Sequence, residues 1–153
     1  EGKLHRNFQG YTTQGDCDLL GLGVSSISMI GDAYSQNQKE LKAYYGQVET
    51  LGHAQWKGCS LNRDDLIRYS VIMALLCQGS VRFADFSQAH WIEFDSYFAD
   101  ELGRLHEFMA QGLVELTQEG IEVTTLGWFF IRPIAMVFDR YHHQRSTGQS
   151  KVL

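Results

Sequence analysis

Arg6 is a side chain suited to a charged ligand. Its planar guanidinium fits a carboxylate through two parallel hydrogen bonds. A surface salt bridge is the plainer fate for it. Asp16 and Asp18 resemble a carboxylate pair, but Asp in a Gly-rich turn usually bonds its own backbone. His142 and His143 are adjacent. Neighbours in a helix point in different directions, so they are not read as a shared metal site. Cys17, Cys59 and Cys77 are far apart and lack metal-ligand spacing. Nothing around Cys17 argues for a depressed pKa, and Cys59 and Cys77 read as core. Gly21-Leu22-Gly23 is half of a dinucleotide fingerprint. The third Gly and the following helix are missing, so a Rossmann reading is rejected.

These candidates cluster in a stretch punctuated by Gly10, Gly15, Gly21, Gly23 and Gly31. Glycine there means either positive φ or close backbone approach. Leu19 to Ile30 is apolar enough for a buried strand, with Ser25, Ser26 and Ser28 leaving room along it. It reads as a strand at a ligand-facing wall, or as an ordinary core strand. Residues 34–49 carry an apolar stripe at Leu41, Tyr44, Tyr45 and Val48, which predicts an amphipathic helix ended by Gly52-His53. Ala54 to Leu61 reads as an extended connector with Trp56 in it.

From Leu61 the pattern becomes helical. Asn62 with Asp64 and Asp65 predicts a capped start, and Gly79 an end. A short second helix is expected near Ser87–Ile92. A third carries Phe94, Tyr97, Phe98, Leu102, Leu105, Phe108 and Met109 at i, i+3 and i+4 steps, closed by Gly112. Period-two alternation in residues 113–116 and 121–124, around Gln118-Glu119-Gly120, predicts a β-hairpin. A last helix should run from Leu126 to about Gln144, capped by Thr124 or Thr125. Pro133 should bend or split it, with Phe129, Phe130, Ile134, Val137, Phe138 and Tyr141 inside. Residues 145–153 read as a frayed polar end.

The order three helices, hairpin, closing helix is winged-helix-like. The fold class is therefore α+β, mainly helical. The divisions expected are 1–32, 33–60 as a linker, and 61–153 as the winged-helix-like unit. Winged helices commonly bind DNA through the third helix. Here that helix carries Asp95, Asp100, Glu101 and Glu107 against Arg104, a face that repels phosphates. With a net charge of −5, a nucleic-acid partner is not expected.

Hydrophobic residues make up 44% of the 153 and charged ones 20%, so the chain is globular rather than disordered. No run reaches the length of a membrane span. The polar start, residues 1–5, does not read as a signal peptide. An odd number of scattered cysteines suits a reducing cytoplasm. The absence of an initiator Met, and an opening in mid-motif, suggest a piece of a longer protein.

The words Arg6-Asn7-Phe8-Gln9-Gly10-Tyr11-Thr12-Thr13-Gln14-Gly15-Asp16 and Ser28-Met29-Ile30-Gly31-Asp32 are specific. The run from Arg6 to Asp32 closely resembles the region after the catalytic barrel of oxygen-independent (anaerobic) coproporphyrinogen III oxidase, a radical SAM family. The resemblance continues to Phe138-Asp139. It implies an enzyme that decarboxylates two propionates of coproporphyrinogen III to the vinyls of protoporphyrinogen IX. Such an enzyme uses S-adenosylmethionine and a 4Fe-4S cluster held by a CxxxCxC motif, together with an electron donor. This sequence has no CxxxCxC, so the chain alone is expected to be inactive and residues 1–32 to be the edge of an absent barrel.

The resemblance also assigns residues. Ile27 matches the position that contacts S-adenosylmethionine, where a β-branched side chain packs on adenine. Phe8 and Gln9 match a pair at the same site, the first a flat apolar wall, the second both donor and acceptor. Arg6 would pair with a substrate propionate. The plain readings remain a core Ile27 and a turn-packing Phe8-Gln9. Two other functions stay open: a non-catalytic winged-helix interaction module, and a haem-binding paralogue. Left without a barrel, residues 19–30 are expected to lie exposed or to drive self-association.

Overall fold

A computed structural model describes residues 4–7, 10–15 and 17–142. Phe8, Gln9, Asp16, His143 and the 145–153 tail lie outside them. Two antiparallel strands, β1 (His5–Asn7) and β2 (Gly10–Thr12), start the chain, with Arg6 opposite Tyr11. A three-stranded sheet follows: β3 (Ile27–Ile30), β4 (Ala33–Asn37) and β5 (Gln55–Ser60), with β4 in the middle. Helix α1 (Leu41–Leu51) connects β4 to β5 and ends on Gly52 in the left-handed region.

Two expectations fail here. The strand expected over Leu19–Ile30 is only four residues long. Ahead of it the chain folds back, and Leu19 and Met29 exchange N–H to O bonds of 2.8 Å each way. Serines explain the turn. Ser28 Oγ accepts from Gly21 N at 3.0 Å, and Ser26 Oγ donates to the carbonyls of Gly21 and Gly23. A methyl at Gly21 would sit 2.5 Å from the carbonyl oxygen of Ile27, so glycine is needed there for close approach. Second, residues 34–37 form a strand rather than a helix. Their polar side chains carry no helical stripe, and β3 on one side and β5 on the other supply ladders. The turn at Gly31-Asp32 thus joins β3 to β4 in one sheet.

The C-terminal unit is winged-helix-like. It comprises α2 (Arg63–Gln78), β6 (Ser80–Arg82), α3 (Phe83–His90), α4 (Phe94–Tyr97), α5 (Ala99–Ala110), β7 (Val114–Leu116) and β8 (Gly120–Val123). A 3-10 turn (Gly127–Phe130) and α6 (Ile131–Met136) close it. Asn62 caps α2 in a reciprocal box with Asp65, and Gly79 terminates it. Strand β6 was not foreseen. It pairs with β8 and makes the wing a three-stranded sheet in the order β6-β8-β7. The second helix starts earlier than Ser87 because β6 hands the chain directly to Phe83.

The third helix is broken in two at Phe98, whose backbone leaves helical geometry. Its ring is fully buried, 4.8 Å from Phe94 and 5.3 Å from Phe138. Aromatic packing of this kind offsets a lost helical turn. The closing helix is also shorter than expected. Thr124 caps the 3-10 turn through its Oγ1 and carbonyl. The break falls before Ile131, so Pro133 sits in the first turn of α6, where its missing N–H costs little. Ile134, Val137 and Phe138 are core, but Phe129, Phe130 and Tyr141 are exposed. Phe129 and Phe130 fall in the short 3-10 turn and Tyr141 lies past the end of α6.

Glu101 is also not on an exposed face. It is 7% exposed and receives a 2.8 Å bond from Arg68. Asp95, Asp100, Arg104 and Glu107 remain on the surface. Cys59 is exposed and Cys77 half-buried, so neither is a core thiol. β5 is an exposed edge strand, which puts Cys59 at the surface. Among the described residues no helix is long and apolar enough to cross a membrane.

Candidate functional site

A cleft of about 400 Å³ lies between the N-terminal segment and the winged-helix-like unit, and polar groups from both converge on it. Strand β1 brings His5, Arg6 and Asn7 to it. Helix α2 brings Tyr69, Met73 and Leu76, which share one face because they stand four and three residues apart. Helix α6 brings Arg132 and Met136, again four apart. The Leu19–Met29 bridge and Tyr34 complete the wall. The floor is therefore aromatic and thioether, and among the described residues the charged groups lining it are the guanidiniums of Arg6 and Arg132.

Arg6 is half-buried, its guanidinium 5.5 Å above the Tyr11 ring. Neither Arg6 nor Arg132 has a carboxylate within 4 Å among the described residues, whereas Arg68, Arg82 and Arg140 each do. Tyr34 has its pKa pushed up to about 12 by burial, with Tyr69 and Cys59 nearby adding to it. Its phenol stays neutral at working pH. Burial likewise raises Tyr69 and Cys77, the latter held back by Arg6.

Ile27 stands elsewhere on the same sheet face. It is half-buried, opposite Gln36, and borders a second cavity of about 390 Å³ with Tyr34, Lys57, Gly58 and Cys59. Ile27 and Met29 point to the same side of β3, since side chains alternate along a strand. Tyr34, opposite Met29, borders both cavities. The Arg6 cleft and the Ile27 wall are thus neighbouring but distinct. Ser25, Ser26 and Ser28 do not simply leave space. Ser26 and Ser28 stitch the preceding loop, and Ser25 takes a positive φ of 59°.

The other candidates resolve plainly. Asp18 accepts from Gly31 N at 2.8 Å and holds a turn. Cys17 lies exposed at the cleft, its thiol donating to the Gln14 side-chain Oε1 at 3.8 Å. The backbone N–H of His142 donates to Asp139 at 3.2 Å. Among the described residues no three His, Cys, Asp or Glu side chains come together as a metal site. These residues do not suit an iron–sulfur cluster. Sequence reasoning missed Tyr69, Met73, Arg132 and Met136. Their signal was a helical stripe, which reads as core until the facing hairpin is seen.

Residues 61–130 match the HemN C-terminal domain family. The chain is 54% identical over 149 residues to the oxygen-independent coproporphyrinogen III oxidase of Salmonella typhimurium, covering 97% of this chain and 33% of that protein. It is 52% identical over 149 residues to the Escherichia coli K12 protein of the same name, with the same coverage. The Helicobacter pylori 26695 protein of that name is 34% identical over 154 residues, covering all of this chain and 34% of its own. The solved structure of coproporphyrinogen III oxidase (HemN) from Escherichia coli, described as a radical SAM enzyme, aligns with a TM-score of 0.89. The identity there is 54%, over 92% of this chain and 32% of that one. The chain thus spans about a third of the length of these relatives. Over nearly all its residues the chain is therefore similar to oxygen-independent coproporphyrinogen III oxidases, and residues 61–130 carry the match to the C-terminal domain of HemN.

Proposed function

We propose that this chain is the C-terminal part of an enzyme that oxidatively decarboxylates two propionates of coproporphyrinogen III to the vinyls of protoporphyrinogen IX. The observation that carries this reading is the cleft lined by Arg6 and Arg132 together with Tyr69, Met73 and Met136. A tetrapyrrole with carboxylates on its rim needs that combination of apolar floor and guanidinium mouth. Coproporphyrinogen oxidase relatives at 54% identity support the substrate class.

In this reading S-adenosylmethionine and a 4Fe-4S cluster supply the radical chemistry, and an electron donor completes it. The cluster would be held by residues outside this chain, whose cysteines at 17, 59 and 77 have no CxxxCxC spacing. Ile27 gives an apolar wall for the adenosyl group, and Phe8 and Gln9 belong to the same site. Residues 1–32 complete a barrel edge, 33–60 link, and 61–153 cover the substrate. The setting is the cytoplasm, where scattered free thiols persist.

The test is anaerobic conversion of coproporphyrinogen III by the protein encoded by the complete reading frame. S-adenosylmethionine, a reductant and an intact cluster are required. Protoporphyrinogen IX and carbon dioxide are the expected products, and the 153-residue chain alone yields neither. No conversion by the intact protein rejects the reading. A second reading, a winged-helix interaction module, draws on the exposed run Leu126, Trp128, Phe129 and Phe130. It would leave the complete protein without decarboxylase activity.

A further inference from the structure

Resting on the proposed substrate, we infer that Arg132 anchors a propionate that the reaction leaves intact. Four observations lead there. Arg132 opens onto the same cleft as Arg6 but comes from a different element, α6. It has no ion-pair partner among the described residues, unlike Arg68, Arg82 and Arg140. Its neighbours hold it in place: Ile134 and Ala135 are fully buried, and Pro133 fixes the turn. Met136 and Met73 line the same cleft, and their thioethers adapt to an irregular apolar surface such as a puckered porphyrinogen macrocycle.

The choice of an unreacted propionate follows from the chemistry. A reacting carboxylate leaves as neutral carbon dioxide. A guanidinium paired with it would stabilise the ground state and lose that interaction as the charge disappears, which raises the barrier. Paired with a retained propionate, the same guanidinium acts equally on substrate and transition state. It then contributes to binding and orientation, and its removal shows in KM rather than kcat. At about 400 Å³ the cleft takes one edge of the macrocycle rather than the whole.

The experiment uses the complete protein and two fluorescent, unreactive probes. Coproporphyrin III carries four propionates. Mesoporphyrin IX carries only the two that survive the reaction. Arg132→Ala is expected to weaken both about tenfold, a difference of about 1.4 kcal/mol. KM for coproporphyrinogen III should rise similarly, with kcat within threefold. Arg132→Lys should recover only part, since a point charge lacks the fork. Arg132→Gln, which keeps a polar side chain but removes the charge, should behave as the Ala variant. Unchanged affinity for both probes, or weakening for coproporphyrin III alone, overturns the role of Arg132 while leaving the proposed reaction standing. An unsubstituted protein that converts no coproporphyrinogen III overturns the reaction itself, and this inference with it.

Discussion

Arg68 on α2 and Glu101 on α5 form a 2.8 Å ion pair, with side chains only 15% and 9% exposed. Arg68 also bonds Asp64 and donates to the Phe138 carbonyl at 3.1 Å. Tyr97 and Arg140 converge on the same Asp64 at 2.6 and 2.7 Å. Helices α2, α4 and α5 and the segment after α6 meet at this network. Glu101→Ala should destabilise the chain by about 2–3 kcal/mol, because the buried guanidinium loses one of its two carboxylates. Urea unfolding checks it. A change below 0.5 kcal/mol, taken as roughly the surface level, would show that Asp64 alone satisfies Arg68.

Acid should act through Asp64. Burial pulls its carboxyl up, but hydrogen bonds from Tyr97, Arg68 and Arg140 override that and hold it below the ordinary 3.8. A depressed carboxylate contributes stability that is fully present above its unfolded pKa and is lost as pH falls through the lower folded one. The Asp64→Asn variant should therefore be less stable at neutral pH and converge toward the parent in strong acid. Parallel curves across that range would contradict the assignment.

His90 should give a second, milder dependence. Its ring lies 2.9 Å from Ser70 Oγ, and burial, with Arg63 nearby, lowers its pKa below 6.5. The unfolded chain then binds a proton first on acidification. Stability is lost as pH falls from 6.5 toward the folded pKa. Replacing His90 by Asn should flatten the thermal midpoint in that window. A slope that persists unchanged assigns the effect to another group.

Gly21→Ala should disturb the Leu19–Met29 bridge, since the added methyl meets the Ile27 carbonyl at 2.5 Å. A loss of about 1–3 kcal/mol is expected from such overpacking. Hydrogen exchange at the Leu19 and Met29 amides reports it directly. Protection equal to the parent's would mean that the loop accommodates a side chain.

The loop before β3 should promote self-association of the isolated chain. Leu20 and Leu22 are 66% and 83% exposed, more apolar surface than a loop usually leaves to water. Sedimentation should show concentration-dependent dimers, abolished by a Leu20→Glu and Leu22→Glu double variant. A parent that stays monomeric at high concentration refutes this.

Sequence alone determined what depends on near neighbours. Asn62, Asp65 and Gly79 bound α2 because caps act within one turn. The β7–β8 hairpin followed from period two and Gly120. The word from Arg6 to Asp32 carried the family resemblance. Tertiary structure decided what depends on distant partners. Residues 34–37 became a strand because β3 and β5 flank them, which no local propensity foretells. Glu101 went inside because Arg68, 33 residues away, neutralises it there. Phe98 broke its helix to reach Phe138. Arg6 and Arg132 met at one cleft only once the β1–β2 hairpin lay against α2, because a binding site is a coincidence of surfaces rather than a property of either one.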